Sequence, residues 1–308
     1  MDCNFIDLEI HVQTNNKAHL AVCLPLLGGL FSEVCRNVVC PVPDRDCHTC
    51  ALNATCDWHC VFGQLLSVNP EALRRHQKPP LPFVFSFPLL EKLPASPGIV
   101  PCGLVVIGSA IARLGLLIEG FTRLLSDRVS LEQAEIVQLF SRDFQGSLVP
   151  LMLGDRIGAP ENLVILSLGG ILESRGCWSD ELDIVLHSPL KLLADGHQAR
   201  HFEFCHFARM LLRRVSSLVY YYESCETGID FRSLSLQADA ITCLQDEFVY
   251  DPSPAGIKRL SGIAGSGCFK GDFNELMPFL IAGAFFHVGK SAAFGMGNYT
   301  LASVKPLR

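Results

Sequence analysis

The chain has 308 residues, 49% of them hydrophobic, and 25 Lys and Arg set against 31 Asp and Glu give a formal charge of −6. That length supports two domains of ordinary size, and the acidic balance excludes diffuse nucleic-acid binding, so any RNA or DNA contact must come from local basic clusters. No apolar run approaches a membrane span, because Arg113 and Glu119 break one candidate and His287 and Lys290 the other. No basic-then-apolar secretory segment is evident, so a cytoplasmic protein without membrane contact is the expectation.

Phe5–Val12 alternates and reads as a strand, and Ala18–Leu24 as its hairpin or bulged continuation. After Gly28-Gly29, the residues Leu30, Phe31, Val34, Val38 and Val39 recur at helical spacing. A cysteine-rich insert occupies residues 40–60. Pro79 to Pro82 then lead into a strand, Phe83–Phe87, which Pro88 ends. Gly103–Gly108 is an apolar strand running into an amphipathic helix, Ser109–Leu125. The stretch from Ser130 to Arg156 reads as helical or irregular.

A second series begins with a strand at Glu181–Leu186. Long helical periodicity follows over Phe202–Tyr222, and a second helix over about Phe231–Leu244. Strands around Phe248–Tyr250 and Lys258–Phe269 precede a final helix, Phe273–Ala284, and a closing strand, Tyr299–Val304. The two halves repeat a β-α-β-β-α order. The expected fold is α+β, two tandem ferredoxin-like (RRM-like) domains, residues 1–178 with the cysteine-rich insert and residues 179–308.

Fourteen cysteines in a chain of this size fit reduced thiols or a metal site better than disulfides. The insert reads Cys40-x6-Cys47-x2-Cys50-x5-Cys56-x3-Cys60. Four thiolates, Cys40, Cys47, Cys50 and Cys56 with Cys60 as substitute, match a structural tetrahedral Zn²⁺. A compact reduced insert is the plainer alternative. His48 and His59 lie in the same insert, as ligands, acid–base groups or loop residues.

The basic clusters are Arg74-Arg75-His76 with Lys78, Arg213-Arg214, and Lys258-Arg259 with Lys270. Each alone reads as a solvated face; convergence is what phosphate binding needs. The tail concentrates Gly283, Gly289, Gly295 and Gly297 around His287 and Lys290. Bare amides with one lysine suit phosphate oxygens, although the spacing is not a Walker A loop. His287 beside such a loop suits proton transfer in phosphodiester chemistry, or simply orders the loop. No Gly-x-Ser-x-Gly elbow, dinucleotide fingerprint or paired carboxylate site accompanies it.

Phe286-His-Val-Gly-Lys290 through Phe294-Gly-Met-Gly-Asn-Tyr299 resembles the C-terminal signature of the CRISPR precursor-RNA-processing endoribonucleases of the RAMP superfamily. Ser188-Pro-Leu190, Arg213-Arg-Val-Ser-Ser-Leu218 and Gly262 through Gly271 extend the resemblance. Cys40–Cys56 followed by Pro82-Phe-Val resembles a cysteine-bearing branch of that family. The resemblance implies binding of CRISPR repeat RNA and one metal-independent cut per repeat, by attack of the ribose 2′-hydroxyl on the adjacent phosphate to release crRNA. It implies no cofactor for catalysis, with CRISPR effector subunits as further partners. It places Lys290, Gly289, Gly295, Gly297, Arg213, Arg214 and Lys270 on RNA, and leaves His287, His48 and His59 as acid–base candidates. Many members carry that histidine on or just after the first helix, whereas Leu27–Val39 contains none and has Ser32-Glu33 there. The alternative implied is a catalytically inactive repeat-RNA-binding subunit.

Overall fold

The computed structural model describes residues 2–41, 46–75, 78–89, 93–128, 134–151, 162–174, 179–194, 196–223, 228, 230–252 and 256–303. The first half runs β1 (Asn4–Thr14), α1 (Lys17–Cys23), α2 (Gly28–Val39), α3 (Asp57–Phe62), α4 (Pro70–Arg75), β2 (Phe83–Ser86), β3 (Gly98–Ile107), α5 (Leu114–Arg128), β4 (Glu135–Arg142), β5 (Leu148–Pro150), β6 (Leu166–Ser167) and α6 (Leu168–Ser174). The second runs β7 (Glu181–Leu190), β8 (Leu193–Ala194), β9 (His197–Gln198), α7 (Phe204–Glu223), α8 (Phe231–Asp239), β10 (Thr242–Asp246), β11 (Val249–Asp251), β12 (Gly262–Lys270), α9 (Met277–Phe286) and β13 (Tyr299–Ser303).

Both halves solve the same topological problem. The first sheet has the order β2-β3-β1-β4-β5, with β6 also on β1. The second has β10-β12-β7-β13, with β11 on β12. In each, the first strand of a β-α-β-β-α-β unit is central, flanked by the third and fourth, and every pairing is antiparallel. That is the ferredoxin-like arrangement, present twice.

Strand β1 carries the reason in its period of two. Ile6, Leu8, Ile10 and Val12 are buried under Phe31 of α2 and Leu117, Phe121 and Leu124 of α5. The opposite face begins with Phe5, which joins Val84, Val105 and Ile107 in a different core, shared with α7 and α9. Its ring lies 4.9 Å from that of Phe285 and 5.3 Å from that of Phe286. The second domain therefore covers one end of the first sheet's outer face, and one apolar core crosses the junction. Helix α9, Met-Pro-Phe-Leu-Ile-Ala-Gly-Ala-Phe-Phe, is apolar on every side because it lies in that core.

Three expectations need correction. Lys17–Cys23 is a helix, not a strand, because Asn16 accepts from the His19 amide as an N-cap at 3.1 Å and turns the chain. The helix begun at Phe231 ends at Asp239, and Thr242–Asp246 is the edge strand β10. All five of its residues are exposed, so no alternation marks it in the sequence. The stretch from Ser130 to Arg156, expected to be helical or irregular, instead contains β4 at residues 135–142, whose faces are too mixed to show a period. Its neighbours 129–133 and 152–161 lie outside the described residues.

The loop from α9 to β13 is fitted to its surroundings by glycine. Gly297 has φ +67°, and a Cβ there would stand 1.8 Å from the Val288 carbonyl oxygen. Gly297→Ala should lose roughly 2 kcal/mol or more of stability, from the left-handed backbone and the contact together. Gly29→Ala, with open space on α2, should lose none. Urea unfolding of both variants against the parent chain checks the pair.

Candidate nucleic-acid interface

The glycine-rich loop is largely an interdomain wedge. The Phe85 amide of β2 donates to the Ala293 carbonyl at 2.9 Å, which stitches the loop to the first sheet. Phe294 reaches Phe31 and Phe83, with ring centroids 6.5 and 5.7 Å away. It fills the notch left by Gly28 at the start of α2, where a Cβ would stand 2.7 Å from its ring. Gly295 lies buried against Phe87 in the same seam.

The amides expected to be bare are mostly used. Val288 N donates to Gly297 O at 3.1 Å, Gly297 N to Pro189 O at 3.1 Å, and Lys290 N to Lys191 O at 3.1 Å. Phe294 N and Met296 N both donate to Ser291 O, and Asn298 N to Ser188 Oγ. The cradle of open N–H groups is thus corrected: these donors hold the loop's own shape. Gly289 remains partly exposed, and Lys290 and Ser291 project to solvent.

His287 caps α9 in the left-handed region at φ +54° and is 1% exposed. Its Nε2 lies 3.2 Å from Ser86 Oγ, across the domain junction. Burial first, and the Arg214 guanidinium second, push its pKa down to about 3. Enclosed and neutral, it orders the seam, and the acid–base role expected for it does not suit this position. Arg214 is likewise drawn inward. Its Nε donates to the Phe286 carbonyl at 2.9 Å, and burial brings its pKa down to about 10, so it stays charged. Arg213, its neighbour on α7, is exposed.

Cations do converge, one step outside the seam. Lys191, just past β7, has its pKa lowered by burial and then by the nearby charges of Lys290 and Arg259. Its Nζ donates to the Arg259 carbonyl, and its own carbonyl accepts from the Lys290 amide. Three like charges gathered at a loop mouth create a site for an anion. Lys270 is not among them. It stands at the opposite end of β12's pairing with β7, held by Glu181 at 3.1 Å and Asp180 at 3.4 Å. Lys191 escaped the sequence reading because it stands alone; the signal was its place directly after Ser188-Pro-Leu190.

With this geometry in hand, residues 184–299 match the family model described as CRISPR-associated endoribonuclease Cas6. Over that segment the chain is similar to the Cas6 family. Residues 4–147 match a second family model, described as an N-terminal domain. No curated protein matches by sequence. Among solved structures, Thermus thermophilus Cas6 has a TM-score of 0.55 at 14% identity, covering 97% of this chain and 99% of that one. A Cas6 product complex gives 0.55 at 13%, covering 97% and 100%. A partial Cas6-RT-Cas1–Cas2 complex gives 0.57 at 13%, covering 99% of this chain but 47% of that one, so the chain spans about half its length. At these identities the likeness is one of fold.

Exposed histidines lie elsewhere in the fold. Helix α2 carries no histidine, but α1, which leads into it, carries His19, exposed, with Nε2 3.2 Å from Cys23 Sγ. In the second domain His187 is exposed on β7, bonded through Nε2 to Thr300 Oγ1 at 2.8 Å. His59 is buried beside Cys60, Gln64, Tyr221 and Tyr222, and the side chain of His48 lies outside the described residues, as do those of Arg74, Arg75 and His76. Cys40, Cys50 and Cys56 line one pocket. Among the described residues no three insert donors lie within 4.8 Å of one another, where a closed zinc centre needs sulfurs about 3.8 Å apart. Among the described residues no single helix is long and apolar enough to cross a membrane.

The buried imidazole has a pH signature. The unfolded chain protonates His287 near its ordinary 6.5, the folded chain only near 3. Its contribution to stability is complete above the unfolded value and is lost as pH falls between the two. Urea unfolding of the parent chain and His287→Asn at several pH values in that window should give a steeper acid loss for the parent.

Proposed function

We propose that this chain binds CRISPR repeat RNA and cuts the precursor once per repeat, by metal-independent attack of the ribose 2′-hydroxyl, releasing crRNA. The observation that carries the binding is the convergence of Lys191, Arg259 and Lys290 at the mouth of the loop in a Cas6 domain. A net-acidic protein needs such a focus to hold a polyanion. The reaction needs a base, an acid and fixed cations on the developing charge. His19 is the acid–base candidate, because it is exposed on the helix leading into Gly28, against which the loop's Phe294 packs. Lys290, Lys191 and Arg259 hold phosphate, with Arg213 extending the track along α7.

A second reading is favoured by one specific observation: His287 is sealed and α2 has no histidine, so the chain would be a non-catalytic repeat-RNA subunit of an effector complex, in the cytoplasm. Labelled repeat RNA with EDTA separates the two. One discrete cut, lost in His19→Ala and kept in His287→Asn, supports cleavage; binding without a cut in the parent chain selects the subunit reading. Lys191→Ala, Arg259→Ala and Lys290→Ala should each weaken binding and lower the slope of log affinity against log salt by roughly one, whereas Lys270→Ala should leave it unchanged.

A structural Zn²⁺ in the insert belongs to the same proposal. Three of its four candidate thiols already share a pocket, and the donor set is one that zinc takes. Elemental analysis of anaerobically purified protein should find zinc that is lost with Cys47→Ser plus Cys50→Ser.

A further inference from the structure

At the start of α7, away from both the loop and the insert, Glu203, Cys205 and His206 bring a carboxylate oxygen, a sulfur and a ring nitrogen within 4.8 Å of one another. Among the described residues this is the one group of three potential metal donors so assembled. The local chain explains it. Glu203 precedes the helix and its carbonyl accepts from the Phe207 amide, so its side chain sits over the first turn. Phe204 and Phe207 turn into the core, which leaves Cys205 and His206 on the outer side.

The distances approach those of a coordination shell. Glu203 Oε2 lies 3.0 Å from His206 Nδ1 and 3.9 Å from Cys205 Sγ. A tetrahedral zinc with ordinary bond lengths sets those edges at about 3.4 and about 3.6 Å. Shifts of a few tenths of an ångström suffice. The bland alternative is an ion pair between Glu203 and His206 three residues apart, with the Cys205 thiol donating to the same carboxylate; exposed contacts of that kind contribute little. That alternative and a metal site differ in what they predict for added metal, since only the site binds it through the sulfur. Asp239 nearby is held by Arg209 at 2.6 and 2.7 Å, so it is committed elsewhere.

We infer that Glu203, Cys205 and His206 form a binding site for a borderline divalent metal ion of the Zn²⁺ class. Thiolate and imidazole together exclude Mg²⁺ and Ca²⁺, which take oxygen donors. Binding forms metal–oxygen, metal–sulfur and metal–nitrogen bonds, releases the Cys205 thiol proton to solvent, and leaves the fourth position to water. The site is independent of the RNA reading.

The test uses the full chain with Cys47→Ser and Cys50→Ser, reduced and stripped of metal, titrated with Co²⁺ without oxygen. One bound equivalent with thiolate-to-cobalt charge-transfer absorption is expected. Cys205→Ser should abolish the absorption, and His206→Gln should weaken binding by at least the roughly tenfold that loss of even an outer partner costs a metal site. Cys243→Ser, an exposed thiol elsewhere, should change neither. In the chain with its native insert, Cys205→Ser should lower bound zinc by one equivalent, which keeps the test valid where the double variant does not fold. Stoichiometry and absorption that survive Cys205→Ser, or no Co²⁺ uptake by a folded parent, would overturn the inference.

Discussion

The structure depends on a single seam. Two ferredoxin-like units could sit side by side as beads, but here one end of the first sheet's outer face is covered by α7 and α9, and the loop after α9 is pushed into the first domain's edge. Phe294 in the notch at Gly28 and the Phe85–Ala293 hydrogen bond lock that wedge. Burying an aromatic ring at such a junction is worth on the order of 2 kcal/mol, more than an exposed ion pair contributes. The seam thus fixes how the two halves face each other.

That constraint decides what the loop can offer a ligand. Its amides close on Pro189, Lys191, Ser188, Ser291 and Gly297, so the backbone is rigid but has little left to give. Attraction for a polyanion passes to side chains held by that rigid backbone. Lys290 is presented by a loop that cannot sag, and Lys191 is tied to it through a main-chain bond. In the proposed RNA binding, a rigid backbone under such lysines lowers the reorganisation that phosphate contact costs.

Much of the plan was legible from the sequence, for identifiable reasons. Strands buried on one face, such as β1 and β7, print their alternation, and α7 prints its 3.6 period. The edge strands do not: β10 is wholly exposed, and β4 has Val137 to solvent and Ser141 buried, so neither carries a readable pattern. Helix α1 was misread because Ala, Leu and Val suit both structures until the cap at Asn16 decides. The loop's composition pointed to the right segment but to the wrong use of its parts. Glycine at positive φ serves a tight protein–protein seam as well as a phosphate, and only packing distinguishes them. His287 and Arg214 became interior groups for the same reason.

The interior position of that pair limits where chemistry can occur. Burial, with the Arg214 guanidinium as a second cause, holds the His287 imidazole neutral and without access to solvent, and Arg214 Nε is spent on the Phe286 carbonyl. Moving either group to a substrate would open the seam and expose Phe5, Phe286 and the rest of the shared core. A proton-transfer group must meet its substrate within hydrogen-bond reach. In the proposed cleavage, acid–base work therefore falls to imidazoles already at the surface, and the sealed pair serves the seam against which the loop carrying Lys290 is packed.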